Sequence, residues 1–502
     1  MRFKFDKSSS FKIGDVNVFF VTNASADTLQ LPHLLQTESE DVKETLQLYR
    51  KDSLGKFGEI SVITVKAQGG LKKFIFCGIG EAKDLSKLQV QELGGIIASK
   101  LNACKLEQAN IIIDGKETES QGELFAVNIA EGIKLKNYCF DKYFKDKKET
   151  NKLYLKEITF YTQYTNLEAL FSEREKIIDS TNFTRDLVSE PANVLNPEAF
   201  VDVCKELEAL GVKVTVLDKK QLKSLNMNAL LGVGQGSNSG TYVVTMEWNG
   251  AKDQKDSQPI AFVGKGITFD TGGINLKPSG PSISMMKYDM GGAAVVTGLI
   301  RSLASRKAKV NVIGAIGLAE NMPSGNAQRP GDVVTSMSGQ TIEVDNTDAE
   351  GRLLLSDVMW YTQETFKPKI MIDLATLTGA IVIALGHHNA GLFSDDDELV
   401  SQLTKAGLNT GEKVWRLPLG QCYDELINSN IADVKNVGKD GAGSITAAQF
   451  LKRFVKKGCI WAHIDIAGVV WLDNGGKLSP RGATGYGVRL LNEFLIQNYE
   501  PK

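Results

Sequence analysis

The chain has 502 residues, of which 42% are hydrophobic and 24% charged, and a formal net charge of −2. This is the balance of a soluble globular enzyme, and it predicts neither a general affinity for nucleic acid nor an acidic tail. The length exceeds what one ordinary core supports, so two or three domains are expected.

The six cysteines, Cys77, Cys104, Cys139, Cys204, Cys422 and Cys459, are dispersed and include no C-x-x-C pair. They read as buried apolar residues or free thiols, not as a disulfide framework. The opening residues Met1-Arg-Phe-Lys-Phe-Asp-Lys are charged and lack the apolar core of a signal peptide. No run of about 18 apolar residues occurs, so no membrane span is expected and the cytoplasm is the expected location.

In chain order, residues 1–165 alternate strand-like segments (16–21, 60–66, 74–79, 111–114, 158–162) with helical spacing over 86–104 and 121–135. This part is α/β and holds no cluster of chemical residues. The lysine-rich stretch 141–152 reads as a solvated loop. Residues 166–190 read as a linker built on a charged amphipathic helix, and the two prolines of 190–197 mark a stiff connection near a domain boundary. From there to 502, apolar strand-like runs at 260–263, 310–318, 370–374 and 460–466 are separated by helical segments. Such runs belong to a sheet covered on both faces. Polar loops at 264–273, 319–331 and 375–379 follow three of them, and open α/β sheets bind ligands at the carboxyl ends of their strands.

Those loops carry the chemistry. One block reads Lys265-Gly-Ile-Thr-Phe-Asp270-Thr-Gly-Gly-Ile-Asn-Leu-Lys277, closing with Met286-Lys-Tyr-Asp289-Met-Gly-Gly; the other reads Asn346-Thr-Asp348-Ala-Glu350-Gly-Arg352. Hard carboxylate oxygens suit divalent cations, and four of them with interleaved lysines have the composition of a two-metal hydrolytic site. Asp348 and Glu350 fall in a turn between a strand expected over 341–345 and a helix over 352–361, where acids can also serve simply as helix caps. Taken alone, Asp289 reads as an N-cap. Lys265 and Lys277 have three readings: a neutral amine ligand, a charged group polarising a carbonyl, or a surface ion-pair partner.

These blocks resemble the leucine aminopeptidase (cytosol aminopeptidase) family, with the bacterial aminopeptidase A branch most similar. Glu320-Asn-Met-Pro323, Arg329-Pro-Gly-Asp332, Ala375-Thr-Leu-Thr-Gly379, Gly443-Ser-Ile-Thr-Ala447 and Trp461-Ala-His-Ile-Asp465 add to the resemblance. It implies two divalent ions per subunit, Mn²⁺ or Zn²⁺. One would be bound by Lys265, Asp270, Asp289 and Glu350, the other by Asp270, Asp348 and Glu350. It further implies that Lys277 polarises the scissile carbonyl and that Arg352 holds a carbonate or bicarbonate accepting the water's proton. Leu377 and Gly379 would contact substrate through backbone groups, with Met286 lining the side-chain pocket. A homohexamer acting on peptides with apolar N-terminal residues such as Leu is also implied. Between Lys277 and Asp289 the spacing is one residue longer than in relatives, with Ser282-Ile-Ser-Met in place of an acid-containing stretch.

Other motifs carry less. Gly232-Val-Gly-Gln-Gly236 precedes a strand-like segment and fails the context test of a dinucleotide loop. His387 and His388 lack partners for a zinc site, and Ser237 and Ser324 lack a local His–Asp support. A DNA-binding accessory role on the same fold is the alternative, and the nearly balanced charge of residues 1–150 gives it no support. The expectation is a two-domain α/β protein, with a smaller N-terminal domain at 1–165 and a larger catalytic domain at 191–502 built on a central mixed sheet covered by helices.

Overall fold

The computed structural model describes residues 1–7, 14–22, 44, 55–67, 70–81, 85–113, 122–146, 152–251 and 258–501. Of the expected features, residues 114, 121 and 147–151 lie outside the described residues. Two compact units result: Met1–Ile178 with Asn474–Pro480, and Asp179–Asp473 with Arg481–Lys502. The helix Leu167–Ser189 carries the chain from the first into the second.

The first unit is a six-stranded sheet in the order Arg2–Asp6, Glu157–Thr162, Gln108–Ile113, Val16–Thr22, Gly70–Gly80, Ile60–Ala67. Its pairs are parallel except the last, where the Gly70–Gly80 and Ile60–Ala67 segments turn back as an antiparallel ribbon. Helices Lys87–Ala103 and Glu123–Lys136 pack over one face and bury Val90, Leu93, Ile97, Phe125, Ile129 and Ile133 against Val18, Ile75 and Ile111. Their backbones touch at Gly132, where an added Cβ would stand 1.8 Å from the Gln91 carbonyl oxygen. The first of the two helices begins with a capping box formed by Ser86 and Gln89. From the lysine-rich stretch, residues 142–146 are exposed.

The second unit holds an eight-stranded mixed sheet in the order Val414–Arg416, Ala390–Phe393, Ile460–Asp465, Ile370–Ala375, Ile260–Asp270, Asn311–Asn321, Tyr242–Asn249, Lys213–Leu217. The central four strands, from Ile460–Asp465 to Asn311–Asn321, run parallel. Alternate residues feed two separate cores. Ile260, Phe262, Ile372 and Leu374 pack with helices Gly291–Ser305, Asp397–Thr410 and Val488–Asn498. Ala261, Val263, Ile267 and Met371 pack with Asn228–Gly234, Glu350–Phe366 and Gly443–Lys452. Burial on both faces explains why these strands read as continuous apolar runs.

The strands are longer than their apolar runs. Ile260–Asp270 continues through the segment expected to be a loop at 264–273, so Lys265 stands inside the sheet, paired with Gly317 of the neighbouring strand. The reason is charge pairing: the lysine is buried against carboxylates, so its polarity does not end the strand. The strand expected over 341–345 is only Thr341–Glu343, and the helix expected from 352 already begins at Glu350.

Candidate metal centre

The carboxyl ends of the parallel strands bring both sequence blocks together. Lys265 projects from within Ile260–Asp270, and Asp270 is that strand's last residue. A register shift between Ala319 and Asn321 on the adjacent strand re-aims the backbone there, so that Asn321 pairs with Asp270. Asp289 lies just before helix Gly291–Ser305, Glu350 opens helix Glu350–Phe366, and Asp348 sits in the turn ahead of it. None of these acids caps its helix: the cap positions are Met290 and Ala349, without side-chain cap bonds. The N-cap readings of Asp289 and of the Asp348–Glu350 turn are thereby corrected, because the carboxylates are spent on lysines instead.

Lys265 Nζ lies 2.8 Å from Asp289 Oδ1 and 2.9 Å from Glu350 Oε1, and donates to the Thr376 carbonyl at 2.9 Å. Lys277 Nζ lies 2.8 Å from Asp270 Oδ2 and 2.5 Å from Asp348 Oδ1. The reading of either lysine as a surface ion-pair partner is thus set aside, for Lys265 most clearly, whose side chain is 3% exposed. Lys265 fits because residue 351 is glycine: an added Cβ would stand 2.5 Å from its Cε. Burial works to lower the Lys265 ammonium, but Asp289, Glu350 and Asp270 outweigh it and hold the group above the ordinary lysine range. Lys277 is likewise held up by Asp270 and Glu350 against the effect of burial. Burial pushes the carboxyls of Asp289, Asp348 and Glu350 upward, and neighbouring acids add to it against the pull of the lysines.

Oxygen ligands from Asp270, Asp289 and Glu350 lie within 4.8 Å of one another, and all three residues are buried. Asp289 Oδ2 and Glu350 Oε2 have no hydrogen-bond partner among the described residues. Buried carboxylate oxygens left unpaired are costly unless something positive meets them. Four carboxylates against two lysines leave negative charge in excess, so the donor set fits divalent cations.

Several supporting groups had no assigned role in the sequence. Asn321 Nδ2 donates to Asp270 Oδ1 at 2.8 Å and to the Thr347 carbonyl at 3.1 Å. The Gly272 amide donates to the same Asp270 oxygen at 2.9 Å. The Thr376 hydroxyl donates to Asp289 Oδ1 at 2.8 Å. Asn321 and Thr376 stand inside the quoted Glu320–Pro323 and Ala375–Gly379 strings, which was their only signal.

Arg352 is buried on the first turn of its helix; one guanidinium nitrogen donates to the Asn436 carbonyl at 2.6 Å, and Nε has no partner among the described residues. Burial pulls its pKa down to about 10, against the carboxylates of Glu350 and Asp465. Leu377 and Gly379 lie in and just after the turn that follows strand Ile370–Ala375, adjoining Thr376. Met286 is in a short 3₁₀ turn, Met285–Tyr288, and its carbonyl accepts from the Asp289 amide at 3.3 Å.

The weaker motifs fall outside this cluster. Gly232 and Gly234 end helix Asn228–Gly234, His387 Nδ1 lies 2.6 Å from the Gly468 carbonyl, and Ser237 donates to Glu320. All six cysteines are free.

A buried carboxylate–lysine cluster at the carboxyl edge of a doubly covered sheet defines the class: a metal-dependent hydrolase. Residues 182–492 match the catalytic domain of the cytosol aminopeptidase family, and residues 29–148 match that family's N-terminal domain. A "Probable cytosol aminopeptidase" of Ehrlichia ruminantium is 51% identical over 456 residues, 89% of this chain and 88% of the relative. One from Rickettsia peacockii is 48% identical over 446 residues, 88% of this chain and 89% of the relative. Among solved structures, a tomato leucine aminopeptidase variant has a TM-score of 0.86 at 31% identity, covering 99% of this chain and 96% of its own. A bottromycin maturation enzyme in complex with Mn has a TM-score of 0.81 at 30% identity, covering 96% and 98%. The chain belongs to the cytosol aminopeptidase family and is a peptidase.

Proposed function

We propose that the protein releases the N-terminal residue of peptides, with a preference for apolar residues such as Leu, at a site holding two divalent ions, Mn²⁺ or Zn²⁺. The observation that carries this reading is the cluster itself: four carboxylates, two of them with an unpartnered buried oxygen, closed by two lysines. Lys265, Asp270, Asp289 and Glu350 would hold one ion, and Asp270, Asp348 and Glu350 the other. When bound, such a pair supplies a bridging water that ionises near neutral pH.

The chain's own groups do the rest. Lys277, which here pairs with Asp270 and Asp348, would direct its ammonium at the scissile carbonyl and stabilise the oxyanion once those carboxylates hold cations. Lys265 would hold its ion as a neutral amine, its proton passing to solvent, with Asp289 and Glu350, its present partners, as fellow ligands. Arg352 holds a carbonate or bicarbonate that takes the proton from water, using the guanidinium edge that Asn436 leaves free. Backbone groups of Leu377 and Gly379 align the peptide, and Met286 lines the pocket for its first side chain.

No described helix is long and apolar enough to cross a membrane; the family resemblance supports a cytoplasmic homohexamer. The test is residue release from short peptides with free and N-acetylated termini by Mn²⁺-loaded and chelated protein. Release from the free terminus by loaded protein only is expected; equal release from the acetylated peptide, or by metal-free protein, overturns the reading.

A further inference from the structure

The turn 376–379 is held by a residue with no place in the metal cluster. Asp465 ends strand Ile460–Asp465, next to Ala375, and is 1% exposed. Its Oδ1 accepts from the Leu377 amide at 3.1 Å and from the Ala467 amide at 3.2 Å. Its Oδ2 accepts from the Thr378 hydroxyl at 2.7 Å. Thr378 Oγ1 also lies 2.9 Å from Ser444 Oγ and accepts from the Ile381 amide, capping helix Gly379–Leu385. On the near side of the same turn, Thr376 accepts from Lys265 and donates to Asp289. One buried carboxylate therefore fixes two successive residues of a segment whose preceding residue touches two members of the cluster.

We infer that Asp465 is a positioning residue for peptide hydrolysis, fixing the 376–379 turn so that its backbone meets the substrate in register with the metal centre. The inference rests on the proposed role of Leu377 and Gly379. Burial carries a cost for this carboxylate and pushes its pKa up, with His463, Thr378 and the Leu377 and Ala467 amides opposing. Among the described residues Asp465 has no ion-pair partner within 4.0 Å, so a contribution through salt-bridge stability does not account for it. What it does supply is three directed hydrogen bonds to one corner of the site. A carboxamide can keep two of them: its oxygen accepts from the Leu377 and Ala467 amides, and its NH₂ faces a Thr378 hydroxyl free to turn towards Ser444. An alanine keeps none.

The test compares Asp465→Ala and Asp465→Asn in the full-length, Mn²⁺-loaded protein. Asp465→Ala should lower kcat/KM for a short peptide by about 10–100-fold, the scale of a displacement of about 1 Å at a reacting site. Bound manganese and Tm of the Asp465 variants serve as controls, and manganese content should not change. Asp465→Asn should restore most of the loss. Independently of activity, hydrogen–deuterium exchange over 376–381 should quicken in Asp465→Ala and return towards wild type in Asp465→Asn. Unchanged exchange there, or an asparagine variant as impaired as alanine, overturns the inference. Should the alanine variant not fold, Asp465→Ser, too short to span both contacts, carries the same comparison. Wild-type protein inactive on every peptide would instead overturn the proposed function, while the exchange measurement still decides the role of Asp465.

Discussion

Both units are built on a sheet whose central strands run parallel, with helices against it, yet they treat buried charge differently. Among the described residues of the first, the buried acid is Glu131, which accepts from Gln91 Nε2 and lies 3.3 Å from Arg174, and one oxygen of the half-buried Glu59 lacks a partner without a cluster around it. It sits within a helix and joins helix to helix. In the second, Lys265, Asp270, Asp289, Glu350 and Arg352 are buried around strand ends and helix starts, and two of their carboxylate oxygens lack partners. Fully satisfied buried charge can serve packing; buried charge left partly unsatisfied at the carboxyl edge of a sheet is reserved for a ligand. The same fold vocabulary thus gathers buried charge into one cluster in the second unit and, among the described residues, into none in the first.

Removing a shared ligand should have the largest effect. Glu350→Ala is expected to cut peptide hydrolysis by more than the roughly 100-fold that loss of an outer-shell partner can cost, with manganese content falling in step. Full activity with both ions retained would break the assignment of charge to function in this unit. Lys277→Ala should lower kcat by about 10²–10³, the scale of one lost oxyanion donor, while both ions stay bound. Equal metal loss in Lys277→Ala and Lys265→Ala would show that the two lysines do not divide the work as proposed.

Smaller effects should separate buried acids that only pack. Asp357, on the helix that Glu350 opens, is bound elsewhere, accepting from the Leu230 amide at 2.9 Å and the Met337 amide at 2.7 Å. Asp357→Asn turns an NH₂ towards one of those donors and should cost about 1–3 kcal/mol of stability, read by denaturant unfolding, with kcat/KM unchanged. In the first unit Glu131→Gln keeps an acceptor for Gln91 only by turning its NH₂ towards Arg174, and should likewise cost about 1–3 kcal/mol, again without change in kcat/KM. A loss of activity at constant fold in Glu131→Gln would mean that the first unit is more than a scaffold.

How much of this was legible depended on how local the interactions are. The string from Asn346 to Arg352 packs two acids, a glycine and an arginine into a strand-to-helix turn, so its chemistry could be read directly. Asp270 with its glycines was legible for the same reason. Lys265 is legible as a candidate but reads as part of a loop, because its polarity ends an apolar run; the sheet tolerates it only because Asp289, Glu350 and Gly351 arrive from elsewhere in the chain. The supporting residues stand inside the quoted strings, but what they contact is not legible there. Asn321 reaches Asp270 across 51 positions, Thr376 reaches Asp289 across 87, and Asp465 reaches Leu377 across 88. An amide, a hydroxyl or a lone carboxylate at such separations leaves no pattern that spacing can expose. The return of Asn474–Pro480 to the first unit likewise depends on tertiary packing.

The buried cluster should exchange the Lys265 proton for a metal ion, which is tested most directly by titrating the chelated protein with Mn²⁺ by calorimetry in buffers of different ionisation heat. The Lys265 ammonium is held above its ordinary range by Asp289, Glu350 and Asp270, so it stays protonated through neutral pH until a cation displaces its proton. The raised carboxyls of Asp289, Asp348 and Glu350 take up protons as pH falls, which works in the same direction. Two ions per chain should bind, one with release of a proton, and that affinity should fall by about tenfold for each pH unit lowered per proton released. In Lys265→Met that proton release should vanish and the affinity of one site should drop. Binding of a single ion, or of two ions with no proton release and no dependence on pH, would contradict the account.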